Sequence, residues 1–488
     1  MTPDDRAPVI VGCGEAVDHP ADLAQALDPL GLMAVAARRA DAGGLLARVD
    51  RLDVVNLVSW RYADPPAELA ARLGIAPTAI SYAAIGGETP TKLVHEAALA
   101  IQRGEAKVAL IAGAEAQHSA GRAAKDGVAL PWPPFAHDAP ARVERGTYLH
   151  PLAMALGASM PVNVYPFYDM ASAQAWGQTP AEAQAESASL WARYAAVAAD
   201  NPSSWLTERY DAEAIATVTP ANRLMAWPYT KLMVANPSVN QGAAVIVTSV
   251  ATARAAGISD AAMIHIAGGA AADEARDYLA RDGYAASPAQ DAVLARAKAL
   301  AGGTIDAVEL YSCFPCVPKM ARRTLGLGED VVPTVTGGLT FFGAPLNDYM
   351  LHAVAAMTRR LRSGRGTGLL YGQGEFVTKH HALLLSATRH EGPLDQDYAV
   401  AAKRGPVPPT VMPEDGEATL ETATILYHRD GTVQHGVVIL RTGDGGRTMA
   451  AVAPDDRGTL AAITDPVRYP VGRRGRIMAG EMPRFALG

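Results

Sequence analysis

Apolar and polar positions along this chain fall into two alternating patterns. Apolar, strand-like runs at residues 9–12, 52–58 and 108–112 are separated by helix-period patterns at residues 31–42, 67–73 and 92–103. Apolar runs set between helices predict strands of a sheet covered on both faces. The last of these helices has clear end signals. Thr89 stands where an N-cap is expected, Pro90 fits the first helical position, and Gly104 lies just past the end.

The pattern then occurs a second time. Val55-Asn56-Leu57-Val58-Ser59-Trp60, followed by Ala70-Ala71-Arg72-Leu73-Gly74-Ile75, returns as Val308-Glu309-Leu310-Tyr311-Ser312-Cys313, followed by Ala321-Arg322-Arg323-Thr324-Leu325-Gly326-Leu327, with one residue inserted. An apolar strand opens each copy, at residues 8–12 and 263–268, and a Gly-Gly pair before an apolar helix follows in each, Gly86-Gly87 and Gly337-Gly338. Two copies of one α/β unit predict a duplicated fold, with residues 52–58 and 306–311 as equivalent strands.

The first copy, residues 1–257, contains an excursion at about residues 117–226. It holds Pro131-Trp132-Pro133-Pro134-Phe135, Tyr165-Pro166-Phe167-Tyr168 and a helix over about 181–199. Such clusters fit an ordered cover over a pocket better than a linker. The second copy spans residues 258–392. Residues 393–413 are polar and proline-rich and read as a linker. Residues 405–488 change character. Strand patterns at 418–427, 433–441 and 448–453, with a hairpin at Asp430-Gly431, predict a small additional β domain, barrel or sandwich.

Composition adds bounds. The chain has 488 residues, too many for a single core, with 49% hydrophobic and 19% charged residues. A formal charge of −7 argues against nucleic-acid and polybasic membrane partners. No apolar run approaches the ~20 residues of a membrane span. Cys13, Cys313 and Cys316 do not make a disulfide framework, so a reducing, cytoplasmic setting is expected. The start, Met1-Thr2-Pro3-Asp4-Asp5-Arg6, does not read as a signal peptide.

Three segments carry a family likeness: residues 234–244 (Val-Ala-Asn-Pro-Ser-Val-Asn-Gln-Gly-Ala-Ala), Pro228-Tyr229-Thr230-Lys231-Leu232, and residues 337–345 (Gly-Gly-Leu-Thr-Phe-Phe-Gly-Ala-Pro). Together they resemble the thiolase superfamily over about residues 8–390. The nearest branch is the sterol-carrier-protein-type thiolase-like proteins with an additional C-terminal domain. The resemblance implies a duplicated, five-layered α/β thiolase fold with an OB-like β-barrel appended. It also implies an acyl-CoA thioester substrate, with CoA as part of the substrate and no separate cofactor or metal. The superfamily usually dimerises through the first-half sheet, so a homodimer is implied, with the oligomeric state left open. Gly337, Gly338, Gly343 and Pro345 are the implied CoA-binding positions.

The family's catalytic motifs are mostly missing. The nucleophilic cysteine belongs at the start of the first-half helix, where this chain reads Gly86-Gly87-Glu88-Thr89-Pro90. The Gly-His-Pro motif becomes Gly343-Ala344-Pro345, and the second cysteine falls around Tyr371-Gly372-Gln373-Gly374. The Asn-Glu-Ala-Phe or His-Asp-Cys-Phe motif aligns with Tyr311-Ser312-Cys313-Phe314. In the superfamily's retro-aldolase relatives, tyrosines near such positions do acid–base work beside a small OB-fold partner. The β-rich tail is a candidate for that partner in fused form.

Six candidate catalytic residues follow, each with a plain structural alternative. Tyr311 and Tyr371 are acid–base candidates or satisfied core tyrosines. Cys313 is a nucleophile or buried packing. His380 is a pocket acid or base or a structural histidine, and adjacent to His381 it makes a poor metal pair. Glu88 is a base at the vacated nucleophile position or a surface residue beside a cap. Asn347 is a donor to a thioester oxygen or a helix cap. Three functions stay open: C–C bond making or breaking next to a CoA thioester, acyl-CoA binding without catalysis, and a scaffold whose barrel recruits a partner.

Overall fold

The computed structural model describes residues 6–139, 145–389 and 393–488; the expected boundary at residue 392 lies outside them. The strands of the first half are β1 (Pro8–Val17), β2 (Arg51–Val54), β3 (Ala79–Tyr82) and β4 (Val108–Ala116). The excursion contributes β5 (Leu224–Ala226) and β6 (Tyr229–Thr230), and β7 (Asn240–Ser249) returns to the core. The second half supplies β8 (Ile264–Asp273), β9 (Ala307–Leu310), β10 (Thr367–Gly374) and β11 (Lys379–Ser386).

The duplication is visible in strand order. The core sheet runs β3-β2-β4-β7-β1-β8-β11-β10-β9, so the two halves mirror each other about the β1–β8 seam. β2 pairs in parallel with β4, as β9 does with β10, and the remaining neighbours in each half's shared set are antiparallel. The segments expected to be equivalent become β2 and β9, both shorter than their apolar runs because residues 55–58 and 311–313 leave the sheet as loops. β3 has no counterpart among the described residues; there the Leu310 N–H donates to the Pro333 carbonyl at 3.0 Å.

Five layers result. Helices Pro29–Ala40 and Pro65–Leu73 cover the first half from outside, and Pro288–Ala301 and Cys316–Leu325 cover the second. Thr89–Arg103 and Tyr349–Gly364 lie between the halves and touch strands of both. A helix clamped on two sides buries most of its surface, and Leu93, Val94, Ala97, Ala98, Leu99 and Ile101 are all buried. Thr89 does not cap this helix. Glu88 holds the cap position without a side-chain bond, and the Thr89 hydroxyl donates to the Ala84 carbonyl at 3.3 Å.

The tail closes into a barrel. Its strands are β12 (Gly416–Tyr427), β13 (Val433–Thr442), β14 (Arg447–Val452), β15 (Arg474–Met478) and β16 (Arg484–Leu487). They pair in the cycle β12-β13-β14-β16-β15-β12, with β14 and β16 parallel and helix Arg457–Ile463 between β14 and β15. That order and helix position are those of an OB-like five-stranded barrel. Leu420, Ile425, Val438, Leu440, Ile477 and Phe485 fill its inside.

The barrel is built into the molecule rather than tethered to it. Val437, Ile439 and Met449 on its outer face belong to the main core, which explains why Val437-Val438-Ile439-Leu440 is apolar throughout. β5 adds to β12 at Ala226–Leu426, and the Thr422 hydroxyl donates to the Phe167 carbonyl at 2.8 Å. Arg447 is fully buried. It pairs with Glu421 at 2.6 Å and donates to the carbonyls of Leu279, at 2.9 Å, and Arg281. The proline-rich stretch expected as a linker is held too, by the Ala271–Ala399 bridge and by Gly405 N–H donating to Asp282 at 2.9 Å.

Candidate active site

The helix Thr89–Arg103 begins where the second half's loops converge. The Gly86 N–H donates to Asn347 Oδ1 at 3.0 Å, and Asn347 Nδ2 donates to the Asn56 carbonyl at 3.2 Å. Asn347 therefore ties the two halves together, while Asp348 takes the cap position of helix Tyr349–Gly364. A Cβ on Gly87 would collide with the Tyr311 hydroxyl and the Gln373 carbonyl. A Cβ on Gly86 or Gly374 would collide with the Glu88 carboxylate, and one on Gly372 would press on the Glu88 backbone. Glycines on both sides thus let Tyr311 and Glu88 approach the helix start.

Glu88 is buried, and its Oε2 has no hydrogen-bond partner. Burial pushes its carboxyl up to about 7, against the opposing pull of Lys379. It forms part of the wall of a cleft of about 650 Å³ shared with Thr89, Lys92, Ala272, Lys379 and Tyr398. The Lys379 ammonium donates to the Ile85 carbonyl at 2.9 Å and pairs with Glu375 at 2.8 Å.

Tyr311, at the end of β9, is 7% exposed. Burial raises its phenol well above the usual range, and the nearby Cys313 and Glu88 add to the shift. It stays protonated, with an O–H available to donate. Cys313 accepts from Gln373 Nε2 at 3.2 Å, and burial pushes its thiol up to about 12, so no thiolate forms at neutral pH. Gln373 Nε2 also donates to the Tyr165 hydroxyl at 2.7 Å, and Tyr165 stacks on Phe314 at 4.4 Å. The excursion's helix Pro161–Ala175 therefore packs directly onto the Cys313 loop.

Tyr371 and His380 belong to a different group of side chains. The Tyr371 hydroxyl meets His380 Nδ1 at 2.7 Å and accepts from Gln290 at 2.9 Å, and His380 Nε2 lies 3.3 Å from Ser287. Ser287 donates to Glu274 at 2.5 Å, and Glu274 pairs with Arg281 at 2.7 Å. Burial and then Arg281 push His380 down to about 3, so it is neutral. The cleft wall also includes His380 itself and His381, and His381 Nε2 lies 3.2 Å from His95 Nδ1. The structure thus gathers Glu88, Tyr311, Asn347 and Cys313 around the helix start and ties the Tyr371 hydroxyl into a buried network with Gln290 and His380, of which His380 also lines the Glu88 cleft.

Comparison with known proteins bears on the fold that carries this arrangement. A family model, the thiolase-like protein type 1 additional C-terminal domain, matches residues 399–481. A monomeric SCP2-thiolase like protein type 1 from Mycobacterium smegmatis has a similar structure, with 27% sequence identity and a TM-score of 0.81, covering 99% of this chain and 100% of that one. The chain has the fold of a thiolase-like protein, and residues 399–481 carry the additional C-terminal domain of that type. Two more distant structures share the fold. The Ltp2-ChsH2(DUF35) aldolase has 19% identity and a TM-score of 0.62, over 79% of this chain and 99% of that one. The dimeric peroxisomal thiolase of Saccharomyces cerevisiae has 14% identity and a TM-score of 0.58, over 79% and 98%. No curated protein matches the chain by sequence.

Because one relative is monomeric and another dimeric, the homodimer implied by the family is not a fixed property of the fold. In this thiolase-like protein the implied CoA-binding glycines serve close packing. Cβ atoms on Gly337 and Gly338 would strike Ala198 and Tyr194 of helix Pro180–Asp200, and one on Gly343 would strike Gln241. Pro345 is buried beside them. Among the described residues, no cluster of three His, Cys, Asp or Glu side chains could hold a metal, and no helix is long and apolar enough to cross a membrane. Lys379 and Gln373 escaped the sequence reading. Gln373 had one signal: it sits inside the Gly372-Gln373-Gly374 remnant of a family motif.

Proposed function

We propose that this thiolase-like protein acts on acyl-CoA thioesters and breaks or makes the C–C bond next to the thioester carbonyl by retro-aldol chemistry, without an acyl-cysteine. One observation carries the reading. The Glu88 carboxyl, near 7 and with a free oxygen, lies against Gly86, and the Tyr311 phenol, held protonated, lies against the adjacent Gly87. A general base works best with a pKa near the operating pH.

For a β-hydroxyacyl thioester, ionised Glu88 takes the β-hydroxyl proton. The Cα–Cβ bond breaks, the β-carbon leaves as a carbonyl compound, and the electron pair becomes an enolate at the thioester. The Tyr311 O–H donates to the enolate oxygen. The proton on Glu88 returns to Cα and leaves a shortened acyl-CoA. CoA enters as part of the substrate, and no further cofactor takes part. The shared fold with a protein named as an aldolase is consistent with this reading.

The high thiol pKa of Cys313 supports the lack of covalent catalysis. A second reading, thioester binding without turnover, is favoured by the Tyr371 hydroxyl being already taken up by Gln290 and His380. Mass spectrometry of products from β-hydroxyacyl-CoA and β-ketoacyl-CoA panels separates the two. Retro-aldol cleavage yields a shortened acyl-CoA and a carbonyl product; recovery of every substrate intact leaves the binding reading.

A further inference from the structure

The hairpin between β10 and β11 turns over Glu375-Phe376-Val377-Thr378, between the paired residues Gly374 and Lys379. Its first three residues have φ of +45°, +62° and +60°. Side chains other than glycine rarely occupy this left-handed region, and a β-branched valine there is an outlier. Glycine would meet the demand without penalty, but the chain places Glu, Phe and Val. Such a backbone persists only where its surroundings over-determine it.

The surroundings do so here. Phe376 and Val377 are buried, so their carbonyls need donors from within the protein. The Tyr168 hydroxyl donates to the Phe376 carbonyl at 2.8 Å, and Arg281 Nη1 donates to the Val377 carbonyl at 2.5 Å. The Val377 N–H donates to Gln373 Oε1 at 3.1 Å. Arg276 grips Glu375 with Nε at 2.8 Å and Nη2 at 2.6 Å. Arg281 is itself buried. Its guanidinium lies over the Tyr168 ring at 5.1 Å, and Nη2 pairs with Glu274 at 2.7 Å. The Arg281 carbonyl in turn accepts from Arg447 of the barrel.

Both ends of the turn meet the start of helix Thr89–Arg103. Before it, the Gln373 carbonyl lies against Gly87, and Gly374 lies against the Glu88 carboxylate. After it, Lys379 donates to the Ile85 carbonyl at 2.9 Å and pairs with Glu375. A turn relaxed to ordinary φ would move all of these contacts together.

We propose that Arg281 is a positioning residue for the Glu88 cleft: it holds the turn at residues 375–377 in its left-handed form, and the barrel steadies it through Arg447. The barrel thereby bears on the site without touching substrate. The expected effect on turnover rests on the retro-aldol reading above; the placement of the turn does not.

Hydrogen exchange of the full chain, read by mass spectrometry, tests this. Arg281→Lys keeps the charge and loses the two-armed grip. It should speed exchange at residues 373–379 and at the helix start, residues 84–90, by about tenfold or more, the scale of a lost hydrogen bond to a charged group. β4, in the same sheet, should exchange as in wild type. Tyr168→Phe removes the other donor, keeps the ring and leaves no buried charge unpaired; it should give the same local pattern. In a Val377→Gly chain, where glycine holds the turn unaided, Arg281→Lys should add little. Arg447→Met should raise exchange at the turn more than in β4. On a cleaved thioester, Arg281→Lys should lower kcat by about 10- to 100-fold with KM little changed.

Exchange raised equally in β4, or raised at the turn but not at the helix start, would make Arg281 structural and overturn the proposal. Equal effects of Arg281→Lys with Val377 and with Gly at that position would overturn the role of the left-handed turn. A turn unaffected by Arg447→Met would detach the barrel from the site. A chain that cleaves no thioester yet shows the local exchange pattern keeps the positioning role and drops the reaction.

Discussion

The hydroxyl of Tyr311 fills the space that a side chain on Gly87 would need. This contact replaces the helix-start thiol of the family with a donor reaching in from the second repeat. Adding a methyl there forces the phenol or the Gln373 carbonyl to move. Gly87→Ala should cost about 1–3 kcal/mol of stability, the usual range for overpacking a filled core. Adding Tyr311→Phe should recover part of it. Urea denaturation of the single and double variants measures both; a fully stable Gly87→Ala chain would mean the contact is loose.

Removing the Tyr311 hydroxyl alone should leave the fold and thioester binding intact. On a cleaved substrate, turnover should fall at least about 100-fold, as for loss of one positioned acid or base. Steady-state kinetics decides it, and a drop confined to KM would assign Tyr311 to binding instead.

Glu88 carries a signed pH prediction. Its folded-state carboxyl is raised from 4.5 to about 7, so between those values the native state holds a proton that the unfolded chain has lost. Glu88 therefore costs no stability below pH 4.5 and an increasing amount as pH rises, levelling off above pH 7 at about 3 kcal/mol. Glu88→Gln should gain on wild type across that window. Melting temperatures of the two proteins from pH 4.5 to 8 should diverge; parallel curves would place the carboxyl at an ordinary pKa.

The duplicated fold was legible because residues 55–60 and 308–313 repeat in kind and in spacing, and buried strands keep their apolar runs in both copies. A β-rich tail was legible from its strand runs and the Asp430-Gly431 turn, and its OB-like form only through the family resemblance. The attachment of the barrel was not, because it depends on contacts between residues far apart in sequence. Arg447 looks like any arginine in a polar stretch until the carbonyls of Leu279 and Arg281 come round it. The site was half legible. Glu88 and Tyr311 stood at family motif positions, and the structure brings them to adjacent glycines, the Glu88 carboxylate to Gly86 and the Tyr311 hydroxyl to Gly87. Tyr371 and His380 stood near such positions too, but strand alternation turns both toward Gln290 and Ser287. Asn347 was read as a cap or a donor, whereas its carbonyl accepts from Gly86 across the two halves.

Arg447 tests how firmly the barrel is built in. Arg447→Met removes one of the two arginine partners of Glu421, which keeps Arg441, and leaves two buried carbonyls without their donor, a cost of about 1–3 kcal/mol for each unsatisfied group. The barrel and the duplicated core should still unfold in one calorimetric transition, at a lower temperature. Two separated transitions, one of them unshifted, would show that the barrel folds independently.

The measurement closest to the central claim compares wild type and Glu88→Gln on the same panel of β-hydroxyacyl-CoA thioesters, with products and intact protein both read by mass spectrometry. The account predicts a shortened acyl-CoA and a carbonyl product from wild type, rising with pH through about 7 as Glu88 ionises. It predicts loss of those products with Glu88→Gln at unchanged thioester affinity, and no acyl adduct on Cys313 in either protein. Wild-type product formation undiminished in Glu88→Gln, or an acyl group trapped on Cys313, would contradict it.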